Sequence, residues 1–260
     1  TPEAVLARAH ANGVDVLALT DHDEVAGVPA AARAAEALGM RLVTGVEISA
    51  TWASQTIHIV GLGVDPEHQG LVHGLAETRS GRVERAATIS QQLEAVGIGG
   101  ALEGALRLAG NPGLVSRTHF ARYLIEQRVC PDIATVFDNY LSPGKPGYVP
   151  TRWATLENAV SWIRAAGGRA VIAHPGRYHY SANQFHALYE AFRDLGGAGI
   201  EVVTSSHSPA QYAEYAEVAQ RYGFLASRGS DFHAPGESRV DLGNLPPLPA
   251  RVTPVWHDWF

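Results

Sequence analysis

An α/β domain built on a barrel-like sheet, with a helical insertion, is the fold class this sequence predicts. Three observations lead there. Short, continuously apolar segments alternate with helical stretches over residues 1–66 and again over 150–260. Strand-like segments vanish between Glu67 and Val149. The 260 residues, 46% hydrophobic and 18% charged, supply core enough for a large domain. The expected division is therefore a barrel from 1–66 and 150–260, with 67–149 inserted.

Each element has a local reason. Thr1-Pro2-Glu3 reads as an N-cap, a proline at the first helical position and a first-turn acid, so a helix covers residues 2–11. Residues 14–20 form an apolar run interrupted only by Asp15 and ended by Thr20, the pattern of a strand buried on both faces, as in parallel or barrel sheets. An alanine-rich helix over 28–38 closes on Gly39. Residues 41–49 and 56–62 read as two more strands of the same buried kind. Within the insertion, helical spacing covers 79–95, 117–127 and 133–140, and a Pro/Gly turn over 142–147 leads back. Helices at 156–166, 185–195 and 209–222 then alternate with strands at 170–173, 199–203 and 224–226. The proline-rich residues 246–249 read as a surface tail.

Composition narrows the function. The longest apolar runs fall far short of the ~20 residues that span a bilayer. Cys130 is the sole cysteine and forms no internal disulfide, and a cytoplasmic location is expected. A net charge of −6 argues against a groove for long duplex nucleic acid, so a polyanion would be met by a local patch. Twelve histidines are a heavy load, and imidazole is the commonest metal ligand.

The histidines are not scattered. Asp21-His22-Asp23 follows the strand at 14–20, Glu47 lies in 41–49, and His58 lies in 56–62. His174 follows 170–173, Glu201 lies in 199–203, and Asp231 and His233 follow 224–226. In barrel-like α/β folds the C-terminal strand ends gather on one rim, where sites are built. Imidazole with carboxylate suits Zn, Mn or Fe rather than Ca. Singly, each residue has a plainer reading: a histidine beside an apolar strand is an ordinary rim residue, and Asp21 and Asp23 cap the next helix. Together they point to a polynuclear metal site.

Five of these segments, 20–23, 45–49, 58–61, 173–176 and 229–233, resemble in order the motifs of the polymerase and histidinol phosphatase (PHP) family. The insertion, through 81–85, 116–120 and 143–149, resembles the branch that removes the 3′-phosphate of 3′,5′-bisphosphonucleotides and trims RNA from 5′-monophosphate ends. The resemblance implies a distorted (β/α)7 barrel with up to three divalent ions, manganese first, with Zn, Fe or Mg as alternatives. Hydroxide activated by those ions would attack phosphorus. It implies His22, Glu47, His58, His174, Asp231 and His233 as metal ligands, with Glu47 bridging. Asp23 would stand beside the substrate as a catalytic residue, and Asp21 would orient from behind. Glu201 is not required as a ligand and is expected to be a hydrogen-bond partner at the rim. The family's first strand carries His-x-His and is followed by an aspartate. Both fall before the Thr-Pro that opens this sequence, so that strand and its three ligands are expected upstream of Thr1.

The remaining polar residues serve the substrate. Between Arg79 and Arg128 seven arginines face four acids, and the planar guanidinium binds phosphate through a fork that lysine lacks. Arg79 reads as solvated; Arg82, Arg85 and Arg117 read as phosphate ligands, although a shared helical face would also explain the first three. Thr118, His119 and Lys145 lie in the matching segments, Arg177 follows the His174 loop, and His207 lies just past a strand end as a second catalytic expectation. The expected substrate is a small nucleotide phosphate or a short RNA 5′ end. The competing readings are a histidinol- or sugar-phosphate monoesterase, a non-catalytic PHP accessory module, and a C–N hydrolase. The last lacks a strand lysine to bridge its metals, because Lys145 is the only lysine.

Overall fold

The computed structural model describes residues 1–260 except Gly110, Thr151, Arg152, Glu237 and Phe260. Helix α1 (Pro2–Ala11) starts on the Thr1 cap, whose hydroxyl accepts from the Ala4 amide at 3.4 Å. Strand β1 (Val16–Leu19) crosses through α2 (Val28–Leu38) to the first part of β2 (Arg41–Trp52) and pairs with it in parallel. Gly39 ends α2 in left-handed backbone at φ 68°. Burial of β1 on both faces was expected; instead it is an end strand, and Val16 is 40% exposed.

The next strand departs from expectation too. β3 (Gln55–Leu62) is antiparallel to β2 and also to β5 (Arg169–Ile172), where the apolar pattern suggested a parallel member. Ala53 and Ser54 are the cause. Both hold positive φ, 44° and 64°, and close a two-residue turn. Such a turn joins antiparallel strands only, since a parallel return needs a crossover of a dozen residues or so. Neither residue is Gly, Asn or Asp, so the usual hairpin signal is missing.

Beyond β5 the connections are long and the pairing is parallel again. Helix α8 (Ala182–Asp194) leads to β6 (Gly199–Thr204), and α9 (Pro209–Tyr222) leads to β7 (Leu225–Gly229). The two-residue β4 (Ala154–Thr155), just before α7 (Leu156–Ala165), pairs with the far end of β2. The sheet order is β1-β2-β3-β5-β6-β7, a mixed, curled α/β sheet. Its core is formed by Ile48, Ile57, Ile59, Ile172, Ile200 and Val202 against the apolar faces of α7, α8 and α9.

Contacts divide the chain into Thr1–Leu75 with Trp153–Phe260, and Ala76–Arg152. Helix α3 (Gln69–Glu94) begins in the first unit and ends in the second. The second unit is helical among the described residues: α4 (Ala101–Ala109), α5 (Arg117–Glu126) and α6 (Ile133–Val136) bury Ile89, Leu93, Phe120, Leu124 and Leu141 together. At Gly104 of α4 a Cβ would meet the Tyr123 ring at 2.0 Å, so that close approach to α5 requires glycine. No described helix is long and apolar enough to cross a membrane.

Candidate metal centre

Strand pairing brings the polar residues to one place. Past β1 the chain still follows β2: the Asp23 amide donates to Glu47 O at 2.9 Å, and the Glu47 amide donates to Asp21 O at 3.0 Å. His22 and Glu47 thereby form an isolated parallel bridge. In the β2–β3 register Ser49 opposes His58 and Glu47 opposes Val60, so Glu47 and His58 share a face of the sheet. Just past β5 the Ala173 amide donates to His58 O at 3.0 Å, and His174 comes next.

The result is a carboxylate among imidazoles. Glu47 Oε1 lies 2.9 Å from His58 Nδ1 and 3.0 Å from His174 Nε2, and Glu47 Oε2 lies 3.7 Å from His22 Nδ1. His58 Nδ1 and His174 Nε2 are 3.2 Å apart. Ligands held at about 2.0–2.2 Å around one ion stand roughly 3.0–3.5 Å from each other, so this spacing fits a shared divalent cation. The buried Nδ1 of His22, which faces Glu47, lacks a hydrogen-bond partner among the described residues, a further sign of a donor set made for an ion. Burial by itself would raise the Glu47 carboxyl, but His22 and His58, with hydrogen bonds from His174 and His58, hold it well below the ordinary range. Burial also lowers His22. Carboxylate and neutral imidazole are the forms that bind metal.

The other side of the site is more open. The His22 and His233 rings lie 5.6 Å apart, and His233 Nδ1 is 2.9 Å from Asp231 O. Asp231 accepts from Arg177 Nη1 at 2.9 Å. A cavity of about 350 Å³ is lined by His22, Glu47, His174, Glu201, Asp231 and His233, among others. Asp23, His174 and Asp231 all hold positive φ (53°, 27° and 52°), a sparsely populated region for residues with a Cβ. Such strain gathers where the surroundings over-determine the backbone.

The two residues expected to be catalytic both make close contacts within the protein. Asp23 is fully buried, and its carboxylate accepts from the Ser49 amide at 2.7 Å and the Ser49 hydroxyl at 2.9 Å. It pins the chain after β1 to β2. His207 is buried too. Its Nε2 accepts from the Gly176 amide at 2.9 Å, and its Nδ1 faces Val202 O at 3.1 Å, so Nδ1 carries the proton. With both nitrogens committed, it braces the turn after His174. Glu201 does the same from β6, accepting from the His174 amide at 2.6 Å. Burial raises that carboxyl to about 8. Ser49 and Tyr178 were missed: their types and positions carry no signal apart from the pairing that surrounds them.

In the second unit the arginines cluster. Arg82 is buried, and Arg85 and Arg117 are half-buried. Arg85 Nε donates to Val149 O at 2.9 Å, and Arg117 Nη1 donates to Leu141 O at 3.1 Å. The Arg117 guanidinium stands 5.5 Å from the Phe137 ring centre and 5.7 Å from that of Tyr148. Burial, then the charges of Arg117 and Arg82, push Arg85 down to about 10. Two cations close enough to depress a third make a place for an anion. His119 Nδ1 accepts from the Ser116 amide at 3.0 Å and so belongs to the α5 cap. Thr118 is half-buried in the first turn, and Lys145 is exposed in the Pro/Gly turn.

Comparison with known proteins bears on the family of this chain. The PHP domain family model matches residues 1–142. A Chromobacterium violaceum protein named 3′,5′-nucleoside bisphosphate phosphatase is 49% identical over 258 residues, covering 99% of this chain and 90% of its own length. A Salmonella typhimurium protein named 5′-3′ exoribonuclease Rnm is 44% identical over 261 residues, covering 100% and 88%. Among solved structures, a Chromobacterium violaceum protein described as an amidohydrolase with bound sulfate and no metal superposes with a TM-score of 0.95. It is 49% identical, covering 99% of this chain and 90% of its own. A provisionally described metal-dependent phosphoesterase from Bifidobacterium adolescentis superposes with a TM-score of 0.80 at 26% identity, covering 98% and 87%.

Proposed function

This chain belongs to the PHP domain family, and from that premise we propose that it is a metal-dependent phosphoesterase. It removes the 3′-phosphate of nucleoside 3′,5′-bisphosphates and shortens small RNAs that carry a 5′-monophosphate. The observation that carries the reading is the Glu47 carboxylate, with one oxygen facing His58 and His174 and the other facing His22. A carboxylate so divided suits two neighbouring ions. His22, Glu47, His58, His174, Asp231 and His233 would hold the metal, with manganese the first choice and Zn, Fe or Mg the alternatives. Bound there, divalent ions supply Lewis acidity toward phosphate oxygens and make water a nucleophile near neutral pH.

The chain's own residues do the rest. Asp231 fixes Arg177 at 2.9 Å, at a place where its guanidinium can meet phosphate charge. Arg82, Arg85 and Arg117 take the second phosphate, with Phe137 and Tyr148 flanking Arg117. Thr118 and Lys145 serve as outer contacts of that anion, and His119 contributes through the helix cap. The curled sheet is read as a distorted (β/α)7 barrel. The free thiol of Cys130 and a small phosphorylated substrate fit a cytoplasmic setting.

The test is phosphate release by chelator-stripped protein reloaded with Mn, Zn, Fe or Mg in turn. Adenosine 3′,5′-bisphosphate and a 5′-phosphorylated oligoribonucleotide should be hydrolysed, best with Mn, and far more efficiently than p-nitrophenyl phosphate. Equal turnover of all three substrates would favour a general monoesterase. Turnover that survives verified metal removal would refute the reading.

A further inference from the structure

The β3–β5 ladder has a side chain threaded through it. By register His58 opposes Ala173, the position after Ile59↔Ile172, and the alternation makes this a pair that exchanges two backbone hydrogen bonds. One is made directly, from the Ala173 amide to His58 O at 3.0 Å. The other is not. The His58 amide donates instead to Tyr178 Oη at 2.9 Å, and that hydroxyl donates onward to Ala173 O at 2.8 Å. A phenol oxygen occupies the place of a ladder bond, so two hydrogen bonds in series span what one would. The strands are held apart at the residue that carries one candidate ligand and beside the residue that carries another.

The Tyr178 ring also lies against His174, with centroids 5.7 Å apart in an edge-on arrangement. One side chain thus touches the backbone of His58, the backbone preceding His174 and the ring of His174. Direct closure of the ladder would draw the two strands together and change the 3.2 Å gap between His58 Nδ1 and His174 Nε2. We infer that Tyr178 is a positioning residue for the metal centre, setting through its hydroxyl the separation of His58 and His174. The inference rests on the reading of those histidines as metal ligands.

The experiment compares wild type with Tyr178→Phe, Tyr180→Phe and His58→Ala, using cobalt(II) alone as the probe. Affinity is read by chelator competition, and the visible absorption spectrum reports ligand geometry. Tyr180 is the control, since its hydroxyl donates to Trp52 O at 2.7 Å, away from the candidate ligands. Tyr178→Phe should bind cobalt about 10–100-fold more weakly, the range found when a residue orienting a ligand is lost, and its spectrum should change. Tyr180→Phe should match wild type. Unchanged affinity and spectrum in Tyr178→Phe, or equal losses in both phenylalanine variants, would overturn the inference while leaving the ligands in place. Wild-type affinity in His58→Ala would instead overturn the ligand reading, and the inference with it. Should Tyr178→Phe fail to fold, 3,5-difluorotyrosine at 178 keeps the shape and the hydroxyl but accepts more weakly from the His58 amide. It should shift both readouts, and coincidence with wild type would refute the inference.

Discussion

Glu201→Gln should flatten the pH dependence of the metal-free fold. The Glu201 carboxyl is buried and raised to about 8 from an ordinary 4.5, while Oε2 accepts from the His174 amide at 2.6 Å. A folded-state pKa above the unfolded one means that the unfolded chain gives up this proton first. The contribution to stability is therefore full below about 4.5 and is lost as pH rises toward 8. Acid-side effects run the opposite way: burial lowers His207 to about 4, so its contribution is lost as pH falls from about 6.5 to 4. His22, also lowered by burial, acts in the same direction. The window from pH 6.5 to 8 thus isolates Glu201, and at ~1.4 kcal/mol per pH unit the loss is about 2 kcal/mol. Glutamine keeps an acceptor for the His174 amide and has nothing to titrate. The assay is urea unfolding in the presence of chelator, followed by tryptophan fluorescence. All five tryptophans, Trp52, Trp153, Trp162, Trp256 and Trp259, lie in the two-part unit, so the signal reports the unit that holds Glu201. Parallel stability curves for wild type and variant across pH 6.5–8 would refute the reasoning.

Three further perturbations follow from the same geometry. Glu47→Gln removes the charge between the imidazoles, and metal content measured after gel filtration should fall at least about tenfold, whereas full retention would contradict the bridging role. Arg117→Ala should lower kcat/KM for adenosine 3′,5′-bisphosphate by about 10–100-fold, the equivalent of ~1.5–3 kcal/mol for a charge-assisted hydrogen bond, and spare p-nitrophenyl phosphate. Equal losses on both substrates would assign Arg117 to structure. Gly229→Ala places a Cβ 2.3 Å from Glu201 Oε1, a buried carboxylate tied to His174, and should cost about 1–3 kcal/mol in chemical denaturation. A variant as stable as wild type would show that the carboxylate can shift.

What could be read from the sequence depended on how local the cause was. Caps and apolar periodicity placed α1 and α2, because Thr1 and Gly39 act within one turn of their own residues. His22, Glu47, His58 and His174 stood out as polar interruptions of apolar strands, and pairing does bring them into contact. The direction of β3 was hidden because Ala53 and Ser54 adopt left-handed backbone without the residue types that advertise it. Asp23 and His207 show a related ambiguity. A polar side chain at a strand end looks the same in sequence whether it faces a ligand or a neighbouring amide, and here Ser49 and Gly176 take it. Tyr178 was invisible because its task depends on a register between strands more than a hundred residues apart.

The division of the chain has a consequence for how it is made. The helical unit is one contiguous stretch, whereas the sheet-bearing unit is assembled from a segment before it and a segment after it. During synthesis the β2–β3 hairpin and the complete apolar cluster from Ala86 to Leu141 exist while β5 is still untranslated. The insertion can therefore close on the ribosome first, since its contacts are local in sequence. Meanwhile the outer edge of β3 waits unpaired, the kind of edge that recruits a wrong partner. Its proper partner emerges only with Arg169–Ile172, and His174 follows at once. Sealing that edge and completing the group of side chains around Glu47 are one and the same late event.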